Sequence, residues 1–224
     1  GEAGDREPFS RALELRALLL RAQGRLESAF EILQRLDSSL VRADLGQLEL
    51  QLGRYQEAAQ RLTTLSSAQA LSDRGLALLM LGQIDLGIQA LEAARDTQPD
   101  AETLARLAYG QMLNGERTEA RQLAANAVGR DPDSAKAVMW QGEISRLRGA
   151  TNEARLQLRR AVTLDGASWR AWFFLGRFLS ETARDDASRA EARTTLNRAL
   201  ELAPSATLRA EVETELAALE ASER

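Results

Sequence analysis

Five glycines recur along this chain at nearly regular intervals, each between two stretches that carry the apolar spacing of a helix. The intervals are 29, 29, 33 and 34 residues, and the glycines are Gly24, Gly53, Gly82, Gly115 and Gly149. Five positions after each glycine stands a small residue, and these are Ala29, Ala58, Gly87, Ala120 and Ala154. A period near 34 residues with this internal order is typical of stacked helix–turn–helix repeats. We therefore predict an all-α solenoid of about six such repeats.

The spacing also predicts what each position does in a repeat. Glycine at the turn supplies the positive φ that joins two antiparallel helices tightly. The small residue five positions later is expected where the two helices approach most closely, because a larger side chain would push them apart. Proline lacks an N–H and disfavours helix in the residue before it. We therefore expect the second helices of repeats three, four and six to end at Pro99, Pro132 and Pro204.

The repeat boundaries divide the chain into three parts: a polar lead-in over residues 1–9, the repeat array over 10–205 and a capping helix over 206–224. The six repeats are placed at 10–38, 39–67, 68–100, 101–134, 135–168 and 169–205. Four extra residues in the sixth repeat are expected in its turn, within residues 181–188. The capping helix is predicted from a single apolar stripe opposite a polar face, formed by Leu208, Val212, Leu216 and Leu219.

The composition argues against several kinds of function. The chain has no cysteine and no histidine, which removes thiol chemistry, the usual general base near neutral pH and the commonest metal ligand. Its net charge is −4 and its pI about 5.2, whereas nucleic acid requires a strongly basic face. The adjacent carboxylates Asp185 and Asp186 are expected to be solvated rather than to hold a cation. We predict no enzyme activity, no cofactor, no metal site, no nucleic-acid partner and no membrane span in this chain.

With these positions in register, the chain resembles tetratricopeptide repeat proteins over residues 10–205. The family pattern places Trp, Leu-Gly, Tyr, Gly, an aromatic residue, Ala, Phe, Ala and Pro at fixed offsets. Repeat two matches it at Leu45, Gly46, Gly53, Tyr55, Ala58 and Leu62. Repeat six matches it at Trp172, Leu175, Gly176, Ala192, Leu196, Ala199 and Pro204. The sequence departs from the pattern at Arg117 and Thr151, which replace the aromatic residue after the turn. The other interpretation of the sequence is a generic helical bundle, which would not need this fixed register.

The resemblance implies a right-handed superhelix whose concave face is lined by the first helix of every repeat. Positions 2, 5, 9 and 12 of a repeat would face that groove, which in the family receives an extended peptide or a helix of a partner. In repeats four to six these positions combine aromatic residues and Met with basic side chains, which is the chemistry of binding hot spots. The candidate partner-binding residues are Tyr109, Met112, Lys136, Met139, Glu143, Arg146, Arg170, Phe173 and Arg177. They predict a partner that offers an acidic segment with one or two apolar anchors.

Two observations limit this prediction. Tyr109, Met139 and Phe173 could instead pack between neighbouring first helices, with the arginines solvated or paired to glutamates. Some relatives hold a partner's C-terminal carboxylate with Lys and Asn at positions 5 and 9. That clamp is absent here, because those positions in repeats one to three hold Glu14 and Leu18, Ala43 and Gln47, and Ser72 and Leu76.

The sequence is therefore interpreted as a protein–protein interaction scaffold that binds a peptide or helix in its concave groove. Abundant arginine beside a single lysine suggests a bacterial chain. Bacterial relatives of this layout serve pilus, secretion, envelope or exopolysaccharide-export complexes, and a soluble protein of the periplasm or cytoplasm is expected. Two other functions stay open. One is self-assembly into a homo-oligomer, which an exposed Leu face on the first repeat would favour, and the other is regulation of a larger enzyme.

Overall fold

A computed structural model describes residues 2–36 and 41–221. Within these residues it contains thirteen α-helices and no strand. Helices α1 to α7 span Glu2–Ala22, Leu26–Gln34, Arg42–Gln51, Tyr55–Arg61, Ala68–Met80, Ile84–Thr97 and Ala101–Leu113. Helices α8 to α13 span Arg117–Arg130, Ala135–Leu147, Thr151–Leu164, Trp169–Thr182, Asp186–Leu202 and Ala206–Ala221. The predicted boundary between the first two repeats, at residues 38 and 39, lies outside the described residues, as do residues 222–224 of the predicted capping helix.

The helices pack as consecutive pairs, α1 with α2 through to α11 with α12, and α13 packs on α12 and α11. The first helices of successive pairs also contact one another, from α3 on α5 to α9 on α11. One face of the array is therefore built from first helices alone. This arrangement confirms the predicted all-α repeat solenoid, and it places the first-helix side chains around a common concave surface.

The five glycines that define the repeat lie at the turns within the first five pairs. Each has a positive φ between 74° and 89°. The residue after each glycine donates its N–H to the carbonyl five positions earlier, as Arg54 does to Glu49 over 2.8 Å. This is a helix C-cap geometry that strongly favours glycine. The turns are those that the spacing predicts.

The two helices of a pair approach closely at small residues, also as predicted. Ala58 and Ala154, each five positions after a turn glycine, are fully buried. The first helices contribute glycines of their own at the same contact. A Cβ built on Gly176 would lie 2.6 Å from Cδ2 of Leu196 and 3.2 Å from its backbone nitrogen. The helices can lie this close only because glycine has no side chain.

Replacing Gly176 with alanine is therefore expected to lower the free energy of unfolding by about 1–3 kcal/mol, the usual cost of overpacking. Gly129 supplies the matched control, because it also lies in a helix but has no heavy atom within 4 Å of a built Cβ. Alanine there is expected to stabilise the helix by about 0.5–1 kcal/mol. Urea denaturation measures both, and equal effects at the two positions would contradict the close approach.

The connections between pairs are set by caps and prolines. Helices α5, α7, α9 and α11 each follow a capping residue whose side chain accepts a hydrogen bond from the backbone N–H three residues later. These capping residues are Ser67, Asp100, Ser134 and Ser168. The prolines that were predicted to end second helices lie two residues after α6, α8 and α12, and they are Pro99, Pro132 and Pro204. Such caps satisfy backbone donors that the helix itself leaves unpaired.

The extra residues of the sixth pair lengthen its helices rather than its turn. Helix α11 has 14 residues and α12 has 17, against 13 and 14 in the preceding pair. Asp185 caps α12, since its carboxylate accepts from the N–H of Ser188 at 2.8 Å and its own N–H donates to the Ser188 hydroxyl at 3.1 Å. This capping box starts α12 early. The insertion expected as a longer turn is therefore additional helix.

The end of the array folds back onto the second pair. The hydroxyl of Ser205 donates to the backbone carbonyl of Leu52 over 2.7 Å. Leu208 of α13 lies against Gly53, where a built Cβ would be 2.8 Å from Leu208 Cδ2. These residues are more than a hundred positions apart in sequence. We call the contacts of Ser205 and Leu208 with the second turn the closure. Pro204, the residue before Ser205, lines a cavity on the concave face.

Candidate partner-binding groove

The cavity on the concave face has a volume of about 420 Å³. Side chains of α1, α3, α5, α7 and α9 line it, together with the start of α11, the segment before α11, Leu26 of α2 and Pro204. Its apolar lining includes Leu50, Leu76, Met139, Trp140 and Trp169. Its charged lining consists of Arg21, Asp73, Glu102, Arg106, Lys136, Asp165 and Arg170. The cavity therefore combines an apolar floor with charges of both signs.

Arg106 is the centre of a buried ion cluster in the wall of this cavity. Its side chain is 6% exposed, and Nη1 donates to Asp73 over 2.8 Å while Nη2 donates to Glu102. Lys136 reaches the same Glu102 over 2.9 Å from the next first helix. Burial alone would raise the pKa of Glu102, but the charges of Arg106 and Lys136 outweigh it and hold that pKa below its usual value. Each of these lining charges is therefore already paired.

A second cluster is centred on Glu143, whose side chain is 1% exposed. Arg146 donates to both carboxylate oxygens over 2.8 Å, and Arg177 of the next first helix donates over 2.5 Å. Arg146 also reaches the exposed Glu181 over 2.6 Å. The hydrogen bonds that Arg146 donates to Glu143 raise the pKa of Arg146 against the effect of burial, so this guanidinium stays charged. The cluster ties α9 to α11.

Arg170 differs from the other cations of the cavity. Its Nη2 donates to the hydroxyl of Tyr55 over 3.1 Å. Its guanidinium lies 5.1 Å from the ring centroid of Trp169 and 5.9 Å from that of Trp140. Among the described residues it pairs with no carboxylate, whereas Arg21, Arg106 and Lys136 each do. Arg170 is thus held in place by aromatic rings and keeps hydrogen-bonding capacity for an anion.

The structure distributes the predicted site residues over three places. Lys136, Met139 and Arg170 line the cavity. Glu143, Arg146 and Arg177 form the second ion cluster. The remaining members pack in the helical layers. Met112 and Phe173 are buried, and the half-buried Tyr109 packs against Trp140 with the ring centroids 4.6 Å apart and the rings tilted by 35°. For Tyr109 and Phe173 this is the packing between helices that the sequence analysis gave as the alternative to partner binding. The partner-binding role of the nine predicted residues stays a prediction.

Several residues of the groove were missed because the inward positions alone were considered. Trp140 and Trp169 stand at positions 6 and 1 of their repeats, yet both line the cavity. Arg106 was missed as well, although its spacing of four from Glu102 is the usual one for a helical ion pair. Tyr55 was identified only as a match to the family pattern in repeat two. No signal in the sequence connects it with Arg170.

Two features were not found in the described part of the chain. No group of three acidic side chains there could hold a metal ion. None of its helices combines the length and the apolar character needed to cross a membrane. Asp185, half of the acidic pair noted in the sequence, is occupied as the cap of α12.

Paired helices, glycine turns and a concave cavity define a helical-repeat protein of the kind that serves as a scaffold. A model of the tetratricopeptide repeat matches residues 43–102 and 103–168, which together are more than half of the chain. The chain belongs to the tetratricopeptide repeat family. Members of this family are protein-interaction scaffolds and are generally without catalytic activity. No curated protein matches the sequence.

Solved structures share the fold at low sequence identity. A thermophilic tetratricopeptide repeat protein from Thermus thermophilus is 19% identical, with a TM-score of 0.64 over 80% of this chain and 99% of that one. A tetratricopeptide repeat protein from Parabacteroides merdae is 16% identical, with a TM-score of 0.52 over 92% of this chain and 86% of that one. A monomeric mutant of IFIT1 with Gppp-AAAA is 14% identical, with a TM-score of 0.69 over 93% of this chain and 55% of that one. These likenesses concern the fold alone.

Proposed function

We propose that this protein is a scaffold that binds an extended acidic segment of a partner protein in the cavity of its concave face. The observation that carries the proposal is Arg170, the one lining cation of the described residues that has no carboxylate partner. A carboxylate of the partner would complete its hydrogen bonds, and such charge-assisted bonds are the strong ones. The other lining cations are neutralised within the chain and would contribute less.

The size and lining of the cavity support an extended segment rather than a helix. A volume of about 420 Å³ is close to that of a single turn of a helix about 10 Å wide. An extended chain could instead place one side chain at Arg170 and a neighbour on the apolar floor. Trp169 and Leu76 line that floor, and aromatic residues beside arginine are frequent anchors of binding energy.

The setting that we propose for this scaffold is the assembly of a bacterial envelope, pilus, secretion or exopolysaccharide-export complex. Membership of the repeat family supports the scaffold, and the arginine-rich, lysine-poor composition supports a bacterial source. Mass spectrometry of the proteins captured from a lysate of the source organism would identify the complex. Capture of a metabolic enzyme as the sole partner would instead favour a regulatory role.

Arg170→Gln tests the site, because it removes the charge but keeps a polar side chain. We expect it to weaken capture of the partner by about 10- to 100-fold, the worth of one charge-assisted hydrogen bond. Arg177 is unsuitable for this test, since it pairs with the buried Glu143 and its loss would disturb the fold.

Arg117→Gln is the matched control, because Arg117 is exposed at the start of α8 and lies outside the cavity. It should capture the partner as well as the wild type does. Circular dichroism would confirm that both variants are folded. Equal capture by the Arg170 variant and the control would contradict the proposed site.

A further inference from the structure

The cavity on the concave face keeps one carboxylate that is not paired with a cation. Of the carboxylates that line it, Asp73 and Glu102 both pair with Arg106. Asp165 also lines the cavity, and among the described residues it pairs with no cation. Arg170 is the corresponding case among the lining cations, since it pairs with no carboxylate there. The wall at the start of α11 therefore presents one unpaired negative charge and one unpaired positive charge.

The carboxylate of Asp165 is held in place by the turn that precedes α11. Its Oδ1 accepts a hydrogen bond from the N–H of Ala167 over 3.0 Å. The backbone carbonyl of Asp165 accepts another from the N–H of Ser168 over 3.2 Å. The turn uses one carboxylate oxygen, and the second oxygen has no hydrogen bond within the described chain. Because the side chain is already fixed, it loses little conformational entropy when it binds a cation.

The same turn occurs one repeat earlier, at Asp131, in different surroundings. Oδ1 of Asp131 accepts from the N–H of Asp133 over 3.2 Å, and its carbonyl accepts from the N–H of Ser134 over 3.3 Å. Asp131 is exposed and does not line the cavity. The turn therefore accounts for an aspartate at this position of a repeat. It does not account for the place of Asp165 beside Arg170 in the wall of the cavity.

We propose that the segment bound in this cavity carries a basic side chain close to its acidic one, with the acidic side chain at Arg170 and the basic side chain at Asp165. The inference rests on the proposed function, and it narrows the partner from an acidic segment to one that contains both charges. A segment with acidic side chains at both places would bring a second carboxylate against Asp165. Such contacts between like charges suppress the binding of wrong partners.

The positions of the two charges limit the spacing of the two partner residues. Asp165 and Arg170 are five positions apart, which is at most about 18 Å of fully extended chain. The turn between them makes the actual distance shorter. An extended partner covers about 3.3 Å per residue, and its alternate side chains point to the same side. The basic residue is therefore expected two or four positions from the acidic one, with a side chain between them on the apolar floor.

The test measures the binding of synthetic peptides with blocked ends. In these peptides Glu and Lys are two or four positions apart, in either order, with leucine beside the Glu on the side of the Lys. Each has a matched peptide with Gln in place of Lys. Trp140 and Trp169 line the cavity, so tryptophan fluorescence reports the binding. At least one Lys peptide should bind the wild type about tenfold more tightly than its Gln match, the worth of one charge-assisted hydrogen bond.

Asp165→Asn should abolish this preference, because the amide keeps an acceptor for Ala167 but carries no charge. Asp131→Asn is the matched control, since it makes the same change in the same kind of turn outside the cavity, and it should keep the preference. Equal binding of every Lys peptide and its Gln match by the wild type would overturn the inference alone. So would a preference for Lys that survives in Asp165→Asn.

The peptides also separate this inference from the proposed function on which it rests. If the Gln peptides bind the wild type and bind Arg170→Gln more weakly, the proposed site stands whatever the Lys peptides show. Peptides that bind the wild type and Arg170→Gln equally well would contradict the proposed function, and this inference with it. The same holds if no peptide of either kind binds the wild type.

Discussion

The variant Glu143→Ala is expected to lose about 3–5 kcal/mol of unfolding free energy, because it leaves buried arginine charge without its partner. Glu143 is 1% exposed and holds Arg146 and Arg177 from two successive first helices. Arg177 has no other ion pair among the described residues, so its guanidinium would lose its only carboxylate. Urea denaturation monitored by circular dichroism measures the loss.

Glu181 provides the control for that result. It pairs with the same Arg146, but its side chain is 46% exposed. Because exposed ion pairs contribute little, Glu181→Ala is expected to cost less than about 1 kcal/mol. Glu143→Gln should fall between the two, since the amide keeps one hydrogen-bond acceptor. A small and equal effect of the two alanine variants would mean that the Glu143 cluster does not stabilise the contact between α9 and α11.

The second large effect is expected from Gly53→Ala, which acts at the closure. Gly53 has a φ of 78°, a conformation that costs other residues about 1–2 kcal/mol. An added methyl group would also lie 2.8 Å from Leu208 of α13, and overpacking of this kind costs about 1–3 kcal/mol. The free energy of unfolding should therefore fall by about 2–5 kcal/mol.

Gly82→Ala separates the two causes. Gly82 has nearly the same φ, 74°, but no heavy atom lies within 4 Å of a built Cβ there. It should therefore show the backbone cost alone, and the difference between the two variants measures the contact with α13. If thermal unfolding finds the two variants equally destabilised, Leu208 does not press on Gly53 in solution.

The helical pairs, their turns and their close contacts could be predicted because they repeat. The glycine at each turn and the small residue five positions on impose the same local geometry in successive pairs. The extra residues of the sixth repeat lie within residues 181–188 as predicted, but the expectation that they form turn was wrong, because the period fixes how many residues are added but not whether they are helical. The capping box of Asp185 and Ser188 decides that point.

Depth of burial could not be predicted in the same way. Position 9 of repeat five identifies Glu143 as inward-facing, but it does not reveal that Arg146 of the same helix and Arg177 of the next first helix enclose it. Position 5 likewise identifies Met139 and Phe173, which are 4% and 2% exposed.

The cavity also combines residues that are far apart in sequence, since Arg21 and Pro204 both line it. A contact between Tyr55 and Arg170, which are 115 positions apart, leaves no periodic trace in a sequence.

The closure also changes how the stability of this chain should depend on its length. In an open array each repeat contacts only its neighbours, so stability is a sum of local terms and end repeats can be removed one at a time. Here Ser205 and Leu208 connect the far end directly to the turn of the second pair. Deletion of α13 should therefore weaken protection of amide hydrogens around Leu52 and Gly53 as well as in α12. We therefore expect this chain to unfold more like a globular domain than like a linear row of independent units.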